Sequence, residues 1–221
     1  MSQVDPDKTQ AAAALLEATY GPRPFPGRGD PLGELVQTIL SQSTSDLNSG
    51  RAYESLRRRF PTWEEALDAP VGEVYEAIRQ AGLGNIKAPR IQRALASVLE
   101  RSGGLSLDFL ADLPLEEARA WLRGIEGVGP KTAACVLMFA LGMPALPVDT
   151  HVHRVSRRLG LIGPRVSAER AHALLESALG PEQVYPFHLH MIQHGRQVCH
   201  AQSPDCGKCA LAGICASARV M

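Results

Sequence analysis

Lys131 is the first candidate for covalent chemistry in this chain. It follows a glycine hairpin, Gly127-Val128-Gly129, and a proline that suits the first position of a helix. Such a hairpin presents free N–H groups and the positive end of a helix dipole, which together bind phosphate. The same dipole disfavours a protonated amine at Lys131, and Schiff-base chemistry needs a neutral lysine amine. The segment therefore indicates either a phosphate site with a nucleophilic lysine or an ordinary tight connection between two packed helices.

Asp149 is the second candidate. It stands directly before THVHRVSRRLGL, a segment with the pattern of a helix. An aspartate at that place is usually an N-cap, but a carboxylate there can also act as a base or stabilise a cation. Sequence alone leaves both roles open.

The cysteines are the third chemical signal. Four of the five lie in the last 23 residues with the spacing C-x6-C-x2-C-x5-C: Cys199, Cys206, Cys209 and Cys215. The N-terminus lacks the pattern of a secretion signal, so we expect a cytoplasmic protein. Disulfides are rare in the cytoplasm. Clustered thiolates then indicate zinc or a [4Fe–4S] cluster. Zinc sites usually pair two C-x2-C motifs, whereas this segment contains one. The spacing therefore favours a compact [4Fe–4S] cluster over zinc.

Composition narrows the class of protein. The 221 residues are 45% hydrophobic and 21% charged, as in globular proteins of one or two domains. The 23 basic and 23 acidic side chains cancel, which argues against a globally basic DNA binder but allows a local basic groove. No apolar run is long enough to span a membrane, so we expect no membrane partner.

The periodicity of apolar residues predicts an all-α chain of about ten helices. Leu32, Leu35, Val36, Ile39 and Leu40 mark the core face of one helix. Further helices are predicted over residues 9–20, 63–80, 86–101, 114–123, 167–180 and 185–197. The last of these carries His188, His190 and His194, for which we expect structural roles rather than metal binding, because no carboxylate accompanies them.

The segments GVGPKTA and VDTHVHRVSRRLGL, with the cysteine spacing, resemble the endonuclease III family of DNA glycosylases over roughly residues 30 to 217. The resemblance implies a bifunctional DNA glycosylase and AP lyase that removes oxidised pyrimidines. Gly127, Val128 and Gly129 would hold the DNA backbone, Lys131 would attack the sugar C1′, and Asp149 would assist. The four cysteines would bind a [4Fe–4S] cluster.

The resemblance also implies an architecture of two helical domains flanking a DNA-binding groove. Residues 24–143 would form a six-helix domain with the helix-hairpin-helix, and residues 1–23 plus 144–221 an iron-sulfur domain. We expect a monomer that binds double-stranded DNA containing damaged bases or abasic sites. The alternatives are a monofunctional mismatch glycosylase of the same fold, a non-enzymatic DNA-binding module, and a zinc-binding interaction protein.

Two segments differ from the common pattern of the family. In LSQSTSD, the resemblance implies that Gln42 contacts DNA and fills the gap left by a flipped base, although alignment places Ser43 at that position; the alternative is a helix C-terminus with solvated polar side chains. The loop between the first two cluster cysteines, HAQSPD, lacks the lysine or arginine that the family carries there. We therefore expect this loop to contribute little to DNA affinity.

Overall fold

The computed structural model describes residues 4–218, which contain helices, turns and loops but no β-strand. The all-α prediction is confirmed. The chain divides into two units. We call Arg28–Leu141 the hairpin unit, and Met1–Gly27 with Gly142–Met221 the cysteine unit. The α-helices are α1 Pro6–Tyr20, α2 Pro31–Ser41, α3 Asp46–Arg59, α4 Trp63–Asp68, α5 Val71–Ile78, α6 Gly84–Ser102, α7 Leu115–Arg123, α8 Pro130–Cys135, α9 Thr150–Leu159, α10 Ala168–Glu176 and α11 Pro181–Gln197.

Helix α2 is the centre of the hairpin unit. Asp30 caps it through a 2.9 Å bond from the Gly33 N–H, and Pro31 occupies its first position. The predicted core face is confirmed, since all five of its aliphatic side chains are buried. Burying each contributes about 1.5–3 kcal/mol. This face packs against α3, α6 and α8, so α2 fixes the positions of its neighbours.

The single helix predicted over residues 63–80 is wrong. The chain forms α4 and α5 there, with a break at Ala69-Pro70. Proline lacks an N–H and forces the preceding residue out of the helical region, and Ala69 accordingly has a ψ of 149°. A capping box between Thr62 and Glu65 begins α4.

In the cysteine unit, α11 packs against α1 and α9, and α10 packs against α9. Helix α11 begins at Pro181, one turn before the predicted start, because Gly180 and Pro181 form a favourable helix start. Helix α10 ends at Glu176, before the predicted limit of 180.

The three histidines of α11 have structural partners. His188 Nδ1 lies 2.9 Å from the Pro147 carbonyl oxygen, and His190 Nε2 lies 2.9 Å from that of Gly21. His194 Nδ1 lies 2.9 Å from the Tyr20 hydroxyl. Burial lowers the pKa of His190 and His194, which keeps them neutral within the packed helices. These contacts support the predicted structural roles, and His194 Nε2 also lies 3.5 Å from Cys209 Sγ.

Candidate active site

The glycine hairpin is shaped by its own backbone. Gly127 has a φ of +82°, a left-handed conformation that favours glycine. Val128 is buried, and its N–H donates to the Ile125 carbonyl at 3.1 Å. Val128 thus stabilises the turn, whereas the glycines on either side leave the backbone open to approach. A Cβ added to Gly127 would lie 3.3 Å from Arg90 Nε, so Arg90 lines the hairpin.

Lys131 is exposed in the first turn of α8, directly after Pro130. The rest of α8 is buried, from Thr132 to Cys135. A buried π-helical turn, Val136–Ala140, follows. Such turns are rare and occur frequently at functional sites. The amine therefore projects from a helix that packing holds in place.

Gln42 ends α2, and its Oε1 accepts a hydrogen bond of 2.6 Å from Arg90 Nη1. Arg90 also lies beside Gly127, so one guanidinium connects the predicted gap-filling residue with the hairpin. All three belong to the hairpin unit. The sequence indicated Gln42 and Gly127 separately but gave no signal for Arg90.

Lys87 is a buried lysine that fixes two segments of the hairpin unit. Its Nζ donates to the Leu40 carbonyl at 2.8 Å and to the Ala81 carbonyl at 2.9 Å. Burial lowers the pKa of Lys87. The two carbonyls stand shortly before Gln42 and shortly before Leu83, so the ammonium holds the segments that carry those residues.

Ser43 and Leu83 are the two non-glycine residues with positive φ in the described chain, at 55° and 52°. Both are exposed, Leu83 with 52% of its surface. Residues held in this conformation cluster at ligand-binding sites, because the strain persists only where the surroundings enforce it. Sequence reasoning missed Leu83. The signal was an apolar residue between two glycines, Gly82 and Gly84, in a turn.

Asp149 is the N-cap of α9, as its sequence position predicted. Its Oδ1 accepts a 2.7 Å hydrogen bond from the Val152 N–H. The second carboxylate oxygen is not needed for that bond, so capping and catalysis are compatible. Asp149 belongs to the cysteine unit, whereas Lys131 belongs to the hairpin unit.

The four C-terminal cysteines line one cavity of about 510 Å³. None of the four forms a disulfide, and burial raises the pKa of Cys209, with the three other cysteines acting in the same direction. Within residues 4–218 no three metal-ligating side chains converge as a single ion would require. A cubane gives each cysteine its own iron, so its ligands surround a volume instead of a point. Four cysteine thiolates are the donor set that such a cluster requires.

Two arginines of α9 stabilise the cysteine segment. Arg154 donates to the Cys199 carbonyl through Nε and Nη2, at 3.1 and 3.0 Å. Arg158 Nη1 lies 3.3 Å from Cys199 Sγ and donates to the His200 carbonyl. Their i, i+4 spacing places both on one face of α9, a signal that is present in the sequence. They supply positive charge beside the loop HAQSPD, which contains no lysine or arginine.

Comparison with known proteins places this geometry in a family. Residues 36–181 match the family model of the HhH-GPD superfamily of base excision DNA repair proteins. The chain belongs to this superfamily. Endonuclease III of Thermotoga maritima is 36% identical over 187 residues, which cover 84% of this chain and 83% of the relative. Endonuclease III of Bacillus subtilis is 33% identical over 186 residues, covering 84% and 81%.

A protein of Arabidopsis thaliana named as a DNA glycosylase is 36% identical over 165 residues, and the match spans only 56% of its length. Among solved structures, a non-covalent Endonuclease III–DNA complex has a TM-score of 0.82 at 28% identity and covers 98% of this chain and 97% of that one. A trapped Endonuclease III–DNA covalent intermediate has the same score, with 98% of each chain covered.

Membership of the superfamily and these relatives identify a base-excision DNA glycosylase and lyase. They do not favour the mismatch glycosylase, the non-enzymatic module or the zinc protein. The family also suggests an iron-sulfur cluster. In the described residues, no helix combines the length and apolar character that crossing a membrane requires.

Proposed function

We propose that this HhH-GPD protein removes oxidised pyrimidines from duplex DNA and cleaves the strand through a Schiff base on Lys131. The observation that carries the proposal is the position of Lys131, an exposed amine in the first turn of a buried helix directly after the glycine hairpin. Hairpin N–H groups can hold a phosphate there, next to the sugar that the amine attacks.

Each of the candidate residues has a separate proposed role. Backbone N–H groups of Gly127 and Gly129 bind the phosphate, while Val128 maintains the turn. Gln42 occupies the space of the extruded nucleotide, and Leu83 inserts an apolar wedge that helps to unstack it. Lys131 attacks C1′ as the base departs. Asp149 stabilises the positive charge that develops on the sugar and moves a proton.

The division of the chain into two units supports a separate role for each of them. We assign DNA backbone binding and the nucleophile to residues 24–143, and cluster binding and Asp149 to residues 1–23 with 144–221. Cys199, Cys206, Cys209 and Cys215 would hold a [4Fe–4S] cluster, which would supply structural cross-linking of the C-terminal segment. Support comes from the shared cavity and from the two arginines that donate to the same segment.

Iron analysis tests the cluster. Anaerobically purified protein should contain about four iron and four sulfide per chain. Cys199→Ser should lower the iron content and the thermal stability, whereas Cys135→Ser should retain the iron because Cys135 does not line the cavity. Stoichiometric zinc without iron would contradict the proposal.

Borohydride trapping tests the nucleophile. Wild-type protein should form a covalent adduct with a duplex containing an oxidised pyrimidine, and Lys131→Gln should form none while still binding the duplex. Lys208→Gln is the matched control, since this lysine is exposed and forms an ion pair with Asp205. An adduct from Lys131→Gln at the wild-type rate would show that another amine carries the chemistry.

A further inference from the structure

Two arginines of α6, Arg90 and Arg93, reach the segment of the glycine hairpin, and their charges are treated differently there. Arg93 Nε lies 3.4 Å from Glu126 Oε1, so a carboxylate directly before the hairpin balances its charge. Arg90 forms no ion pair within the described part of the chain. Its guanidinium is half-buried and carries an uncompensated positive charge beside the hairpin.

The side chain of Arg90 lies along Gly127. A Cβ added to this glycine would lie 3.3 Å from Arg90 Nε, 3.7 Å from its Cδ and 3.8 Å from its Cγ. Any larger residue at position 127 would therefore press on both the stem and the head of the arginine. The absence of a Cβ gives Arg90 its place against the turn.

The hairpin backbone offers further hydrogen-bond donors at this place. Within residues 4–218, neither the Gly127 N–H nor the Gly129 N–H donates to a backbone carbonyl. A Cβ added to Gly129 would meet no atom within 4 Å, so the hairpin is open on this side. Backbone N–H groups and a guanidinium are the donors from which phosphate oxygens accept most strongly.

The bond between Arg90 and Gln42 has one possible chemical assignment. A guanidinium has five N–H donors and no acceptor, so the Gln42 atom 2.6 Å from Arg90 Nη1 is the amide oxygen. The bond therefore fixes the orientation of the amide. In the described chain no acceptor binds Gln42 Nε2, and Arg90 keeps its other N–H donors for a second partner.

The charge balance of the whole chain gives the lone guanidinium its importance. The 23 basic and 23 acidic side chains cancel, and the loop HAQSPD contains no lysine or arginine. Attraction to DNA must then come from local positive groups that lie where the backbone of the duplex is held. An uncompensated arginine at the glycine hairpin is such a group.

We propose that Arg90 binds a DNA backbone phosphate together with the glycine hairpin, and that its bond to Gln42 Oε1 orients this side chain for gap filling. A phosphodiester is the ligand that suits one guanidinium flanked by backbone N–H groups. The phosphate held at the hairpin and the residue that fills the gap are then connected by one side chain. With its oxygen bound to Arg90, Gln42 presents its Nε2 donors to the gap.

The role of Arg90 rests on the proposed binding of DNA by the hairpin, and the test uses binding without chemistry. The ligand is a duplex with a tetrahydrofuran abasic analogue, which forms no Schiff base, and its affinity is measured at several salt concentrations. The slope of log affinity against log salt changes by about 0.9 for each phosphate that a cationic side chain contacts.

Arg90→Met should reduce this slope by about one contact and weaken binding roughly tenfold at low salt. Arg90→Lys should keep the wild-type slope, because the ammonium retains the charge. The control is the double variant Arg93→Gln with Glu126→Gln. It removes the neighbouring ion pair without changing the net charge, so its slope should equal that of wild type.

The link to Gln42 is measured with 2-aminopurine opposite the abasic analogue, at saturating protein so that affinity does not enter. Arg90→Met and Gln42→Ala should each reduce the rise in fluorescence that accompanies unstacking of this base. Arg90→Met should reduce it no further when Gln42→Ala is already present, because both changes remove the same contact.

Three results would overturn the inference. One is a wild-type slope in Arg90→Met, and another is an equal loss of slope in Arg90→Lys, which would make the loss structural. The third is a further fall in fluorescence when Arg90→Met is added to Gln42→Ala. Failure of the proposed function is a different result, namely borohydride trapping by Lys131→Gln at the wild-type rate.

Discussion

Two carboxylates at the starts of helices, Glu34 in the hairpin unit and Asp149 in the cysteine unit, have opposite environments. Asp149 precedes α9 and accepts the Val152 N–H at 2.7 Å, so the helix itself stabilises its charge. At α2 that position belongs to Asp30, and Glu34 lies four residues further on, where the surroundings bury its charge. The position of a carboxylate within the first turns of a helix therefore decides whether its surroundings favour or disfavour its negative charge.

A related contrast separates other residues of the two units. In the cysteine unit, the buried His188, His190 and His194 each have a hydrogen-bond partner that explains their position. In the hairpin unit, Ser43 and Leu83 are exposed and have positive φ, a conformation that is strained for residues other than glycine. Groups that the fold does not explain are the better candidates for function.

The largest effect is expected at Asp149, where the cap and the catalytic role can be separated. Asp149→Asn should slow base release by about 10²–10⁴-fold, because the amide cannot move a proton. Its stability should be near wild type, because asparagine also caps helices. Single-turnover base release and thermal unfolding check both statements. Asp149→Ala should in addition lose about 1 kcal/mol of stability. Unchanged base release in Asp149→Asn would leave Asp149 with the capping role alone.

Lys87 tests whether the strained segments of the hairpin unit depend on one buried cation. Lys87→Met should cost about 1–3 kcal/mol of unfolding free energy, because two carbonyls lose their donor. It should also weaken base extrusion, measured with a fluorescent base analogue in the duplex, because the segments of Gln42 and Leu83 are no longer held. Lys208→Met is the exposed control. Normal extrusion in Lys87→Met would show that the segments are positioned by other contacts.

The buried charge of Glu34 should destabilise the protein at neutral pH. The folded protein holds the Glu34 proton up to about pH 7, whereas the unfolded chain releases it near the ordinary value of 4.5. More protons are then bound in the folded state between these values, so wild type loses stability as pH rises through this window. Glu34→Gln should be about 1–3 kcal/mol more stable than wild type at pH 8 and equal at pH 4.

Denaturant unfolding of Glu34→Gln at both pH values measures the difference, with Glu54→Gln as a control that gains nothing. An equal gain at pH 4 and pH 8 would mean that the charge of Glu34 is not the cause. The contrast between the environments of the Glu34 and Asp149 charges would then not explain the stability of the protein.

The smallest effect is expected in the loop HAQSPD of the cysteine unit. Gln202→Arg should tighten duplex binding and steepen its dependence on salt by about one charge. Gln202→Glu should do the reverse. Affinity measured at several salt concentrations checks both. Identical slopes for the three proteins would place this loop away from the DNA backbone.

Local signals in the sequence determined much of the fold. The caps at Asp30 and Asp149, the proline at the start of α8 and the periodic core face of α2 could all be predicted, because each acts within one or two turns of helix. The break at Pro70 was equally local, and the prediction of one helix over 63–80 overlooked it. The spacing of the four C-terminal cysteines likewise indicated a shared site, because they lie close together along the chain.

Tertiary structure alone decided how the polar groups of the hairpin unit act. Lys87 reaches the carbonyl of Leu40, 47 residues away, and Arg90 binds Gln42, 48 residues away. The burial of Glu34 depends on α3 and α8 packing around α2, which no stretch of neighbouring residues reveals. The cost of burying a charge depends on everything within several ångströms of it, and that environment exists only after distant segments have packed together.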